Sequence, residues 1–156
     1  MTKKDAAVKT EELSGDECWK LLRGVSVGRL AVWFEGHPDI FPINYTVDHG
    51  TLVFRTGEGT KLAALRAEHP VAMEADGVDA ETGIAWSVVA KGTVTAMTSI
   101  GDMLDSFSLM LFPWQSGQKD HFMRISPSVI TGRRFKVAPP DEWWTAHSGA
   151  PRSFPE

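Results

Sequence analysis

The chain has 156 residues, 42% of them apolar and 23% charged, with a formal net charge of -4. These are the proportions of a single ordinary globular domain. The acidic balance argues against a nucleic-acid binder, which normally carries a basic stripe, and no apolar run is long enough for a membrane-crossing helix. A single cysteine, Cys18, rules out an intrachain disulfide and a cysteine zinc site, and the five histidines lack ligand spacing, so no metal is expected.

Met1 to Glu12 is polar, with three lysines and three acids and no apolar h-region. It reads as a disordered tail in a cytoplasmic protein. Ser14-Gly15-Asp16-Glu17 fits a capping box that opens a helix with Cys18, Leu21 and Leu22 on one face, ending near Gly24. From Ser26 the period changes to two. Val27 to Phe34 is a strand, Glu35-Gly36-His37-Pro38 a turn, Ile40 to Val47 a second strand, and Thr51 to Thr56 a third after Asp48-His49-Gly50. The short turns predict an antiparallel meander. Pro42 within the second strand predicts an edge or a bulge, where a missing N–H is tolerated.

A short helix is predicted from Thr60 to Ala67, then a strand from Val71 to Ala75 and an acidic, turn-rich stretch from Asp76 to Gly83. Ile84 to Met97 reads as a long strand with Trp86, Val88, Ala90, Gly92 and Val94 in one phase, and Gly92 as a bulge. Ser99 to Leu111 has helical spacing, Trp114 to Asp120 is a polar loop, and two strands follow, Phe122 to Ile125 and Val129 to Val137, the latter interrupted by Gly132. The segment 138–156 holds four prolines and should lie extended. Six or seven strands with three helices predict a mainly β fold, a small antiparallel split β-barrel with flanking helices, over residues 13–137.

The chemistry concentrates in Phe54-Arg55-Thr56-Gly57-Glu58-Gly59-Thr60-Lys61. A strand end carrying Arg55 runs through two glycines into a helix start carrying Lys61, where unpaired backbone N–H groups already favour an anion. Thr56 and Thr60 add hydroxyls, and the glycines allow close backbone approach. A phosphate could be held there. The same pattern also fits a tight turn with two solvated basic residues, and it lacks the spacing of a Walker loop. Asn44 stands mid-strand, where asparagine is disfavoured.

Gly28-Arg29-Leu30-Ala31, Pro42-Ile43-Asn44-Tyr45, Phe54-Arg55-Thr56 with Gly59-Thr60-Lys61, Trp86-Ser87-Val88-Val89 and Ile130-Thr131-Gly132-Arg133-Arg134 occur in an order that resembles the pyridoxamine 5'-phosphate oxidase-like, FMN-binding split-barrel superfamily. The closest likeness is to its flavin/deazaflavin oxidoreductase and nitroimidazole-reductase-like branches. The resemblance implies a homodimer with two FMN sites at its interface. It implies that Arg55 and Lys61 grip the flavin phosphate beside Phe54, with Thr56 and Thr60 assisting, that Ile43, Asn44 and Tyr45 lie along the ring, and that Trp86, Ser87 and Val88 close the other side. The vitamin-processing oxidases carry an arginine- and leucine-rich strand where this chain has Pro42-Ile43-Asn44-Tyr45, and their basic and aromatic C-terminus is not matched here, so pyridoxamine phosphate oxidation is not the expected activity.

Three functions are thereby open. One is a flavin-dependent oxidoreductase passing hydride or electrons to a small organic acceptor, with the flavin carrying the chemistry and no side-chain acid or base named. Another is a reductase using the deazaflavin coenzyme F-420, whose anionic tail would meet Arg133, Arg134 and Lys136. The third is a carrier of flavin, deazaflavin or haem without turnover.

Overall fold

In a computed structural model of the protein, residues 9–97 and 121–137 are described. The elements run β1 (Glu11–Glu12), α1 (Gly15–Arg23), β2 (Val27–Phe34), β3 (His37–Asp48), β4 (Thr51–Thr56), α2 (Thr60–Arg66), β5 (Val71–Asp79), β6 (Ile84–Ala96) and β7 (His121–Lys136). All pairings are antiparallel, in the order β1-β7-β4-β3-β2-β5-β6. A further β6–β7 pairing joins the β6 end of that row back to β7, next to β1 at the other end, and closes the sheet into a ring. The predicted split barrel and its meander are therefore present.

Alternation decides what lies inside. Leu30 and Val32 of β2, Ile43 and Tyr45 of β3, Leu52 and Phe54 of β4, Met73 and Ala75 of β5, and Val88 and Ala90 of β6 form one continuous core. α1 adds Cys18 and Leu22 to it and packs across β3, β6 and β7. α2 adds Leu62, Ala64 and Leu65 and packs on β2. The capping box forms as expected: the Ser14 N–H donates to Glu17 Oε2 at 2.9 Å and the Glu17 N–H to Ser14 Oγ at 3.2 Å. Burial in this interior pushes up the Cys18 thiol and, further, the Tyr45 phenol, whose hydroxyl donates to the Leu22 carbonyl at 2.7 Å.

Several boundaries differ from expectation. Glu11–Glu12 pair with Arg134 and Arg133 of β7 and so belong to the sheet, because β4 covers that edge of β7 only from His121 to Ile125 and β6 lies on the other edge. β5 continues through the acidic stretch to Asp79, whose carboxylate accepts from the Glu81 and Thr82 N–H groups and organises the turn. Those backbone donors hold its pKa below the ordinary carboxylate range. The two strands expected around residue 127 are one strand, β7. Pro127 lies opposite Gly92, where the register shifts between Lys91 and Gly92; a side chain on Gly92 would run into the Ser126 carbonyl, so the bulge and the proline accommodate each other. Gly132 does not break the strand.

Pro42 pairs with Arg29 of β2, whereas β3 meets β4 only from Tyr45 to Asp48. It thus occupies an edge on its β4 side, as its missing N–H requires. The helix expected over Ser99 to Leu111, the loop after it, the tail before Lys9 and the segment from Ala138 lie outside the described residues. No helix among the described residues is long and apolar enough to cross a membrane.

Candidate functional site

β3 has twelve residues and β4 has six, and their pairing stops at Tyr45 opposite Phe54. Beyond that pair the two strands part, and the fork between them is where the charged residues gather. The Tyr45 N–H is spent on the Ser26 carbonyl, so two-residue alternation turns the Pro42 carbonyl away from β2 and toward the fork. Lys61 Nζ reaches into that gap and donates to Pro42 O at 3.4 Å. Its ammonium also lies 5.5 Å from the centre of the Phe41 ring.

Arg55 follows the last β3–β4 pair on the β4 side and Asn44 on the β3 side. Both are out of phase with the buried Tyr45 and Phe54, which directs their side chains to the outer face of the barrel. The Arg55 guanidinium lies 5.0 Å from the centre of the Phe122 ring on β7. Arg55 and Lys61 are thus each laid over an aromatic ring. Gly59 places α2 beside them. Its φ of 139° and ψ of -167° belong to a region essentially restricted to glycine, and the helix begins at Thr60, which is exposed. α2 has seven residues, too few for a strong macrodipole, so Arg55 and Lys61 carry most of the attraction for an anion.

The expected site residues separate into three sets. Asn44, Arg55, Thr60 and Lys61 surround the fork. Ile43, Tyr45, Phe54 and Thr56 are on the same strands but turned inward and at most 4% exposed; the Thr56 hydroxyl donates to the Gly57 carbonyl at 3.3 Å. Their backbone, not their side chains, would meet a ligand on the outer face. Trp86, Ser87 and Val88 are distant: they pair with Arg134, Arg133 and Gly132 of β7, whereas Arg55 pairs with Phe122 at the other end of that strand. Val88 is fully buried, and Ser87 takes the outward phase.

Phe41 borders the fork beside Lys61, and Glu58, His121 and Phe122 lie around the end of β4 on its β7 side, though nothing in the local sequence pattern singles them out. Glu58 Oε1 and His121 Nε2 are 2.8 Å apart, and His121 is the cross-strand neighbour of Thr56. Among the described residues every buried side-chain polar atom has a partner, so the barrel interior offers no waiting polar contact to a ligand. Nor do the described residues include three or more His, Cys, Asp or Glu grouped to hold a metal. Two directed cations on aromatic floors, beside an open strand edge, fit an anionic group attached to a planar system.

A sequence model of the family described as pyridoxamine 5'-phosphate oxidase matches residues 14–134. The chain belongs to that family. Among solved structures of similar proteins, one from Corynebacterium glutamicum superposes with a TM-score of 0.75 at 37% identity, over 83% of this chain and 100% of that one. The FAD binding protein from Mycobacterium smegmatis gives 0.70 at 36% identity, over 81% of this chain and 98% of its own. An uncharacterised protein of Mycobacterium tuberculosis is 31% identical over 134 residues, covering 83% of this chain and 88% of that protein. The oxidase-like membership implied by the ordered motifs, from Gly28-Arg29 to Arg133-Arg134, is thereby established.

Proposed function

We propose that this chain is a cytoplasmic flavin-dependent oxidoreductase that holds its flavin at the interface of a homodimer. The observation that carries this reading is the pair of cations at the fork: Lys61, over Phe41, donates into the gap between β3 and β4, and Arg55, over Phe122, stands at the end of β4 on its β7 side. A flavin phosphate is the anion this arrangement suits, with Thr60 as an added donor and Asn44 and the β3 backbone along the ring. When bound, the flavin supplies hydride or electron transfer to a small organic acceptor.

The distance of Ser87 from the fork supports the dimer. Phe122 and Arg133, the β7 neighbours of Arg55 and Ser87, are separated by about 36 Å of strand at roughly 3.3 Å per residue. A second copy could bring its own Ser87 to the fork from outside. FMN is the simplest ligand. FAD is the second reading, favoured by the FAD binding protein that is 36% identical to this chain, and F-420 would use the same phosphate contacts.

The decisive experiment is an absorbance spectrum of the purified protein, with mass spectrometry of what heat releases and a test of reduced-nicotinamide oxidation in the presence of an acceptor. Flavin bands and an FMN or FAD mass are expected, with turnover. A protein that is colourless as purified and takes up none of added FMN, FAD or F-420 would overturn the reading, and tight flavin binding without turnover with any donor would make the chain a carrier.

A further inference from the structure

A second cleft opens at the other end of the barrel, between α1 and the paired ends of β6 and β7. Its volume is about 430 Å³, and it is lined by Glu17, Lys20, Leu21, Val25, Trp86 and Arg134. That is within the usual range for small-molecule sites.

Trp86 and Arg134 are direct cross-strand partners, so their side chains leave the sheet on the same side. The indole lies against Gly77, its partner on β5, where even a methyl group would come within 2.8 Å of Nε1. That bare backbone lets the ring settle and serve as a flat wall. Leu21, Gly24 and Val25 add uncharged surface beside the indole, and Glu17, Lys20 and Arg134 are charged.

The charged lining is two cations, Lys20 and Arg134, and one acid, Glu17, with Glu11 a second acid beside Arg134 outside the cleft. Glu17 is engaged elsewhere, since its Oε2 accepts the Ser14 N–H in the capping box. Arg134 Nη1 is 3.9 Å from Glu17 Oε1 and 3.7 Å from Glu11 Oε2. Both separations exceed the roughly 2.7–2.9 Å of a close charge-assisted bond. The guanidinium is therefore held in place by acids too far away to saturate its fork of donors.

We propose that this cleft is a second small-molecule site, independent of the flavin fork, and that it takes a planar aromatic carboxylate. The ring stacks on Trp86 between Leu21 and Val25, and the carboxylate is received by Arg134 and Lys20. The site uses residues of one chain only and does not rest on the flavin reading.

Calorimetric titration of the full chain with 2-naphthoate, with 2-naphthamide as the neutral match, tests this. One saturable site per chain is expected, with the amide bound at least tenfold more weakly. Arg134→Gln and Lys20→Gln should each weaken naphthoate by roughly tenfold to a hundredfold and leave the amide unchanged. Lys20 is exposed, so its variant should fold, as thermal melting will verify. Arg55→Ala should leave naphthoate binding intact while weakening FMN. Absence of saturable binding, equal affinity for acid and amide, or loss of naphthoate in Arg55→Ala would each overturn the assignment.

Discussion

Replacing the fork cations separates phosphate binding from folding. If Arg55 and Lys61 hold a phosphate, each contributes a hydrogen bond to a charged group, about 1.5–3 kcal/mol, or a loss of roughly tenfold to 150-fold in Kd on its removal. That lies well within the about 4 kcal/mol that a charge pair 4 Å apart contributes at an effective dielectric near 20. The cost to folding should be smaller. The Arg55–Phe122 contact at 5.0 Å is worth about 0.5–1 kcal/mol at a partly exposed site, which is a few degrees in Tm for a chain of this size. Lys61→Met keeps the stem over Phe41 and removes only the charge. The assay is calorimetric titration of the apoprotein with FMN and with riboflavin, which has the same ring without the phosphate. Wild type should prefer FMN, and Arg55→Ala and Lys61→Met should each shrink that preference, less than additively because both serve one anion. An unchanged FMN-to-riboflavin ratio in both variants would refute the fork as the phosphate site.

Two further substitutions probe the frame around it. A methyl group on Gly132 would meet Cys18 Sγ at 2.6 Å and Leu13 Cδ1 at 3.1 Å, so Gly132→Ala should cost about 1–3 kcal/mol by overpacking; urea melts should show Cys18→Ala, which removes the nearer atom, recovering part of that loss in the double variant. Arg124 donates to Asp48 Oδ2 at 2.9 Å and holds that carboxyl below its usual range. A lowered folded pKa means the stabilisation is present above the unfolded value near 4 and is lost as the pH falls through the folded one. Arg124→Gln should therefore destabilise by about 1–3 kcal/mol at pH 7, and a gap undiminished in acid melts at pH 2 would contradict the ion pair.

The meander was legible because its cues are local. Alternation marks β2, β3 and β4, two short turns join them, and the Ser14–Glu17 pair announces α1. The end of β5 and the middle of β7 were not, because acidic residues and a proline read locally as breaks, whereas pairing with β6 holds both extended. The same division holds at the site. Charge, glycine spacing and the out-of-place Asn44 pointed to the fork. Its aromatic floors could not be found that way, since Phe122 reaches Arg55 only when β7 returns to β4 and closes the ring, a contact 67 residues away in sequence.

Closure also explains why the fork is where it is. A sealed β-barrel of this size fills its interior with side chains, and Phe54, Tyr45 and Val88 do so here, leaving ligands the outer surface. Most strand edges are consumed by pairing. The first two-thirds of β3, from His37 to Asn44, has β2 on one side and no β4 partner on the other, so backbone groups there face outward. An open edge is a liability in a monomer, and this one is tempered by Pro42, which removes a donor, and by Lys61, which occupies the carbonyl. Lys61, which helps blunt the edge, is also one of the two cations a bound anion would use. Filling the fork with a ligand and covering it with a second chain would complete what the short β4 leaves unfinished, and on this view flavin binding and dimer formation at that edge are two parts of one solution.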